Sequence, residues 1–206
     1  MGRVRRALGE IAALWHVRVM PYQPPPDLAG MTLEQVAAEV AARKLPPLDQ
    51  WTPARTGDSA MRIAADGRWY HEGSPITRPA MVRAFASLLT RDADGQHWLV
   101  TPVEKLAIAV EDAAFIATDC RLLDSDIAFR LNTDELVLAG PQHPLRARGT
   151  AISPAIYLGL RHSCEARIDR STWLQLAEIA LAQHGSHGGD DWTVASGGES
   201  YSLVPA

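Results

Sequence analysis

The stretch AADGRWYHEGSPITRP, residues 64–79, concentrates groups that could do chemistry: Asp66, His71 and Glu72, with Arg68 and Arg78 among them. A histidine beside a carboxylate suggests general acid–base work, and a hydrolase reading would use Glu72, Glu104 or His71 as the base. Strand geometry argues against His71 and Glu72 acting as a dyad. Neighbouring strand residues point to opposite faces of a sheet, so His71 shares a face with Trp69, and Glu72 with Tyr70.

TPVEKLAIAVED carries a second signal. Counting by twos from Glu104 through Leu106, Ile108 and Val110 to Asp112 gives an apolar face with a carboxylate at each end. Carboxylates are seldom buried without partners. Each is therefore expected at a sheet rim, held by an arginine, with Arg62, Arg78 and Arg167 as candidates. The ligand-binding set is Arg62, His71, Arg78, Glu104 and Asp112, with no catalytic assignment. Arg161, Glu165, Arg167 and Arg170 crowd a later segment. The favoured reading there is a solvated face, and the alternative is an anion or partner site built from planar guanidinium donors. His184 and His187 in HGSH make a weak metal motif, and no metal or cofactor is expected. Cys120 falls on an apolar strand face and reads as a core thiol.

Several common activities lack their motifs. The chain has no GxGxxG, GxxxxGK[ST], GxSxG or HExxH. Its 206 residues are 47% hydrophobic, enough for a substantial core, and the formal net charge of -4 argues against a nucleic-acid partner. No apolar run reaches the roughly 18 residues of a membrane span. Two well-separated cysteines, Cys120 and Cys164, suggest a reducing compartment, here the cytoplasm. Residues 1–30 begin basic and apolar, but Glu10 interrupts the run and no small-residue cleavage site follows it. They read as a poorly ordered extension ending in a PPP linker.

The elements that must position these residues follow from periodicity and turn chemistry. Thr32 and Gln35 have capping-box spacing ahead of a helix over 32–44. LDQWTPARTGDS reads as irregular. Strands near 60–65 and 68–72 join at Asp66-Gly67, read as a type I′ turn. Thr77 and Pro79 open a helix over 78–90, which DADG closes. Residues 96–139 alternate as strands, LRARGT reads as an edge strand, and IYLGL and CEARI flank a tight RHS connection. Asp169 caps a last helix over 170–184, and the tail around SGGES is either a small hairpin or disordered. A hairpin followed by a helix occurs twice, at 60–72/78–90 and at 155–168/170–184. The fold class is α+β, mostly antiparallel, with about three helices and two topologically related halves, over 31–118 and 119–206.

Residues 57–115 resemble the signature of a bacterial family classed as a domain of unknown function. The matching positions are Met61-Arg62-Ile63, Asp66-Gly67, Trp69, Gly73 through Arg78, Leu99 through Lys105 and Val110 through Asp112. LPPLDQWTP and SGGESYSL also fit, the latter less well. Ala60 and Ala114 depart from it, standing where an acidic residue and a proline are expected. The resemblance implies two α+β halves of related topology and a role in ligand sensing or signal transduction, and it carries no catalytic residues. The expected function is therefore non-catalytic binding of a small molecule or protein partner in a regulatory setting, with a homodimer among the expected assemblies. A hydrolase and a structural interaction module are the alternatives.

Overall fold

The computed structural model describes residues 30–42, 45–150, 152–184 and 192–205. All of the expected extension but Gly30 lies outside them, as does His187. Helix α1 (Leu33–Ala42) opens on the expected capping box: the Thr32 N–H donates to Gln35 Oε1 at 2.8 Å, and the Gln35 N–H to Thr32 Oγ1 at 3.3 Å. Val36 of this helix joins Met31, Leu123, Ala128 and Leu136 in a small satellite core.

The first sheet contains β1 (Arg55–Ile63), β2 (Trp69–His71), β3 (Ser74–Pro75), β4 (Leu89–Arg91), β5 (His97–Val100) and β6 (Glu104–Val110), with α2 (Pro79–Ala86) between β3 and β4. Its strand order is β3-β2-β1-β6-β5-β4. The second sheet contains β7 (Phe115–Leu123), β8 (Asp126–Leu131), β9 (Leu136–Leu138), β10 (Leu145–Thr150), β11 (Ser153–Gly159) and β12 (Glu165–Ile168). Its order, read from the other edge, is β9-β8-β7-β12-β11-β10. Each half is thus two antiparallel meanders joined at one central parallel pair, β1 with β6 and β7 with β12. The expected relation between the halves holds at the level of strand order. The helices break it: α2 follows the third strand of its sheet, whereas α3 (Arg170–His184) follows the sixth. Residue 118 lies inside β7. Asp169 caps α3 as expected, accepting from the Thr172 N–H at 2.8 Å. The tail forms a hairpin of β13 (Thr193–Ser196) and β14 (Glu199–Ser202).

Four local expectations change. Arg55–Ser59, read as irregular, is the start of β1. Its polar sequence hides a strand defined by parallel pairing, with Arg55 beside Glu104. The helix expected over 78–90 stops at Ala86, and Leu89–Arg91 pairs with β5 instead. The DADG that follows is a hairpin loop like that at Asp66-Gly67. In both, the fourth residue of the loop donates back to the first, Gly67 to Ala64 and Gly95 to Asp92, and only the glycine takes positive φ. Asp66-Gly67 is therefore not a type I′ turn. That geometry occurs at Glu72-Gly73, with φ of 48° and 79°, between the paired residues His71 and Ser74. In β7 a register shift between Ala117 and Asp119 breaks the expected alternation and leaves Thr118 exposed.

One contiguous core joins both halves, with Ile63, Trp69, Phe85 and Ile108 from the first and Phe115, Phe129, Leu158 and Leu176 from the second. Burying each such side chain contributes roughly 1.5–3 kcal/mol. Cys120 and Cys164 are free and buried, Cys120 on the core as expected, and burial pushes both thiols up to about 12. Gly67 is pressed into the contact between the halves. A Cβ there would lie 2.7 Å from both Asn132 Nδ2 and Ile116 Cγ1, with φ at +80°.

Gly67→Ala should therefore cost about 2–4 kcal/mol in urea unfolding, from backbone strain and overpacking together. Gly73→Ala has the same strain but open space around it, and should cost only about 1–2 kcal/mol. Equal losses at the two sites would contradict the close approach at Gly67.

Candidate functional site

Two grooves flank the segment Pro75–Thr77 that leads into α2. The first, about 260 Å³, is lined by residues that include Met61, His71, Arg78, Met81 and Phe85. The second, about 500 Å³, lies between the halves. Arg68, Trp69, Val82 and Arg83 line it from the first half, and Asn132, Thr133 and Asp134 from the second. Trp69 and Phe85 stack with ring centroids 6.2 Å apart, one on each groove. The Arg78 residue that precedes α2 makes no side-chain cap to the helix, and Pro79 occupies the first turn.

The wall of the interhalf cleft holds unused hydrogen-bonding capacity. Trp69 Nε1 and Thr133 Oγ1 are buried and make no hydrogen bond, although the two residues are only 2% and 4% exposed. A buried polar group left unpaired costs about 1–3 kcal/mol, so two in one cleft wall call for an explanation. Across the cleft Arg83 pairs with Asp134 at 3.3 Å, while Arg68 pairs with Asp66 at 3.5 Å. In the first groove His71 Nε2 is likewise buried without a partner.

Of the five residues expected from sequence to form a site, His71 and Arg78 line one groove together. The other three pair elsewhere. Arg62 forms an ion pair with Glu111 and lies 4.3 Å over the Tyr70 ring. Glu104 sits at the rim beside Arg55, 3.7 Å away, in place of the expected candidates. Asp112, at the other end of that strand, is held by Arg167 at 2.6 Å, one of the three expected partners, and by the Tyr157 hydroxyl at 2.7 Å. Glu104 is in register with Arg55 and His71 with Met61; β1 bulges between Asp58 and Arg62, so Met61 stands level with Ile108, about 13 Å from Glu104 along β6 at the usual strand rise. Glu72 stands exposed in its turn. The three groups of the hydrolase reading therefore do not face one substrate.

Asp112 belongs to a wider arginine network. Burial alone would raise its carboxyl, but hydrogen bonds from Arg167 and Tyr157, with the charges of Arg167 and Arg148, hold it below the usual carboxylate range. Burial and the bond to Asp112 push the Tyr157 hydroxyl up. Glu165 is 8% exposed and receives Arg91 at 3.4 Å, Arg146 at 3.6 Å and Arg148. This corrects the solvated-face reading: Glu165 is buried under three guanidiniums, and Arg161 turns away to pair with Glu135. Burial, followed by the Arg91 charge, lowers the nearby His97 imidazole.

Sequence reasoning missed Arg55, Arg83, Thr133 and Asp134. NTDE at 132–135 reads only as turn composition, and nothing local shows that this turn meets the Asp66-Gly67 loop. Trp69 was visible as part of the family-like signature, though not as an unpartnered donor. Among the described residues no group of three or more His, Cys, Asp or Glu side chains converges as metal ligands would, and no helix is long and apolar enough to cross a membrane.

Residues 46–113 match the family model described as domain of unknown function (DUF1285), N-terminal domain, and residues 114–203 match protein of unknown function (DUF1285), C-terminal domain. Among solved structures the chain is similar to a DUF1285 family protein from Silicibacter pomeroyi DSS-3, at 34% identity and a TM-score of 0.69, covering 83% of this chain and 95% of that one. A DUF1285 family protein from Shewanella baltica OS155 is similar at 23% identity and a TM-score of 0.49, covering 58% and 91%. A search of the curated proteins finds no match.

The depressed Asp112 carboxyl has a measurable consequence. An unfolded Asp titrates near 3.9, so between that value and the lower folded one the unfolded chain holds the extra proton. This contribution is fully present above about pH 4 and is lost as pH falls through the folded value. Asp112→Asn should lower the melting midpoint at neutral pH and flatten its decline on acidification. An acid limb as steep as the wild type's would contradict the assignment.

Proposed function

The chain belongs to the DUF1285 family, and from that premise we propose that it binds a small carboxylate-bearing ligand in the cleft between its halves, without catalysis. The observation that carries the reading is the pair of buried, unpartnered groups in the cleft wall, Trp69 Nε1 and Thr133 Oγ1. Both can donate to an acceptor that enters the cleft wall. Arg68 and Arg83 stand at the same cleft and supply the forked donors that suit a carboxylate. His71 and Arg78 extend this polar lining into the adjoining groove.

A ligand held by both halves would tie them together more firmly, which suits a regulatory or signal-transducing role. The two separate buried thiols fit a cytoplasmic setting. Arg62, Glu104 and Asp112 then act as rim pairs that fix the strands, and the ligand set becomes Arg68, Trp69, Arg83 and Thr133 with His71 and Arg78.

Thermal-shift screening of the full chain against a library of small organic acids tests the reading. At least one compound should raise the melting midpoint by several degrees, as saturating binding to the native state requires. Thr133→Val, which keeps the shape and removes the hydroxyl, and Trp69→Phe, which removes the indole N–H with part of the ring and is checked for a native melting transition, should each reduce that shift. A library with no stabilising compound, or a shift that both variants leave unchanged, would overturn it.

A further inference from the structure

The second sheet ends in an edge unlike the other three. β10 has six residues, against two or three for the edge strands β3, β4 and β9. Among the described residues β10 pairs only with β11; β14 comes close to it without pairing. A long edge strand presents a row of N–H and C=O groups able to accept another strand.

The same edge carries the arginine network. Arg146 and Arg148 stand two apart on one face of β10, and register places Arg146 opposite Tyr157 and Tyr157 opposite Arg167. The side chains of Arg146, Arg148 and Arg167 remain 57%, 47% and 44% exposed. With Arg91 they face two carboxylates, Glu165 and Asp112, which already hold every one of them. Guanidinium donors are left over, and the patch is positive in a chain of net charge -4. A second copy adding its own β10 would bring arginine against arginine, a like-charge pairing that destabilises a sheet. An acidic strand has no such conflict.

We propose that β10 is a docking edge for an extended acidic segment of a partner protein. The segment adds as a further strand of the second sheet and sets alternate Asp or Glu side chains against Arg146 and Arg148. Main-chain bonds along the edge supply affinity, and the alternate charges supply specificity. This surface is independent of the interhalf cleft.

A labelled peptide alternating Glu and Val, with a Lys-for-Glu counterpart as control, tests the proposal by fluorescence anisotropy on the full chain. The acidic peptide should bind, weaken as salt rises, and slow hydrogen exchange at the β10 amides. Arg146→Gln with Arg148→Gln should weaken binding by roughly tenfold or more, the scale of a lost charge-assisted hydrogen bond. Both arginines also contact Glu165, so Arg146→Gln alone, the more exposed of the two, is measured alongside, each variant being checked for a native melting transition. Equal binding of the Lys peptide, binding that leaves β10 exchange unchanged, or no binding at low salt would overturn the proposal.

Discussion

The contact of the Gly67 turn with Ile116 and Asn132 is the constraint on which the rest depends. There the loop of the first hairpin lies against the start of the second sheet with no room for a side chain. Asn132 Nδ2 donates across the contact to the Gly67 carbonyl at 3.5 Å, and the two residues that receive the turn are braced against each other: the Asn132 N–H donates to the Ile116 carbonyl at 2.8 Å, and the Ile116 N–H donates to Asn132 Oδ1 at 3.2 Å. The residues on either side inherit their positions from this contact. Trp69 follows Gly67 into the core, and Thr133 and Asp134 follow Asn132 to the cleft wall. A single core spanning both sheets makes this junction part of the protein's interior.

The electrostatics divide along the same plan. Ion pairs at the strand ends, Arg55 with Glu104, Arg62 with Glu111 and Arg167 with Asp112, pin the rims of both sheets. Such half-exposed pairs contribute little to stability individually, and Asp112 gains more by accepting two hydrogen bonds at once. The arginines around Glu165 go beyond pinning, because they collect an excess of one sign along a long edge strand. The cleft and the edge thus present two separate chemistries, one enclosed and hydrogen-bonding, the other open and cationic.

Much of this was legible in the sequence, and the failures have physical causes. The capping box at Thr32, the Asp169 cap and the edge strand over LRARGT were recoverable because each depends on residues adjacent in the chain. Asp-Gly at 66–67 is the stronger composition signal for an I′ turn, yet Glu72-Gly73 adopts it. The helix expected over 78–90 ends early: Leu88 and Leu89 continue an apolar stripe, yet Leu88 lies in a turn and Leu89 starts a strand paired with β5. The partners of Glu104 and Arg62 are not legible in the sequence, because parallel register cannot be read from alternation. The interhalf cleft was invisible for the same reason: Gly67 and Asn132 lie far apart in sequence and meet only through the sheets.

Native-state hydrogen exchange across the junction tests this account most directly. The amides of Gly67 and Asn132, with those of the central strands β6 and β7, should exchange at one common free energy equal to that of global unfolding, since one core and one junction bind the halves into a single cooperative unit. Two separate unfolding free energies, with β6 and β7 exchanging independently and Asn132 opening below both, would contradict it.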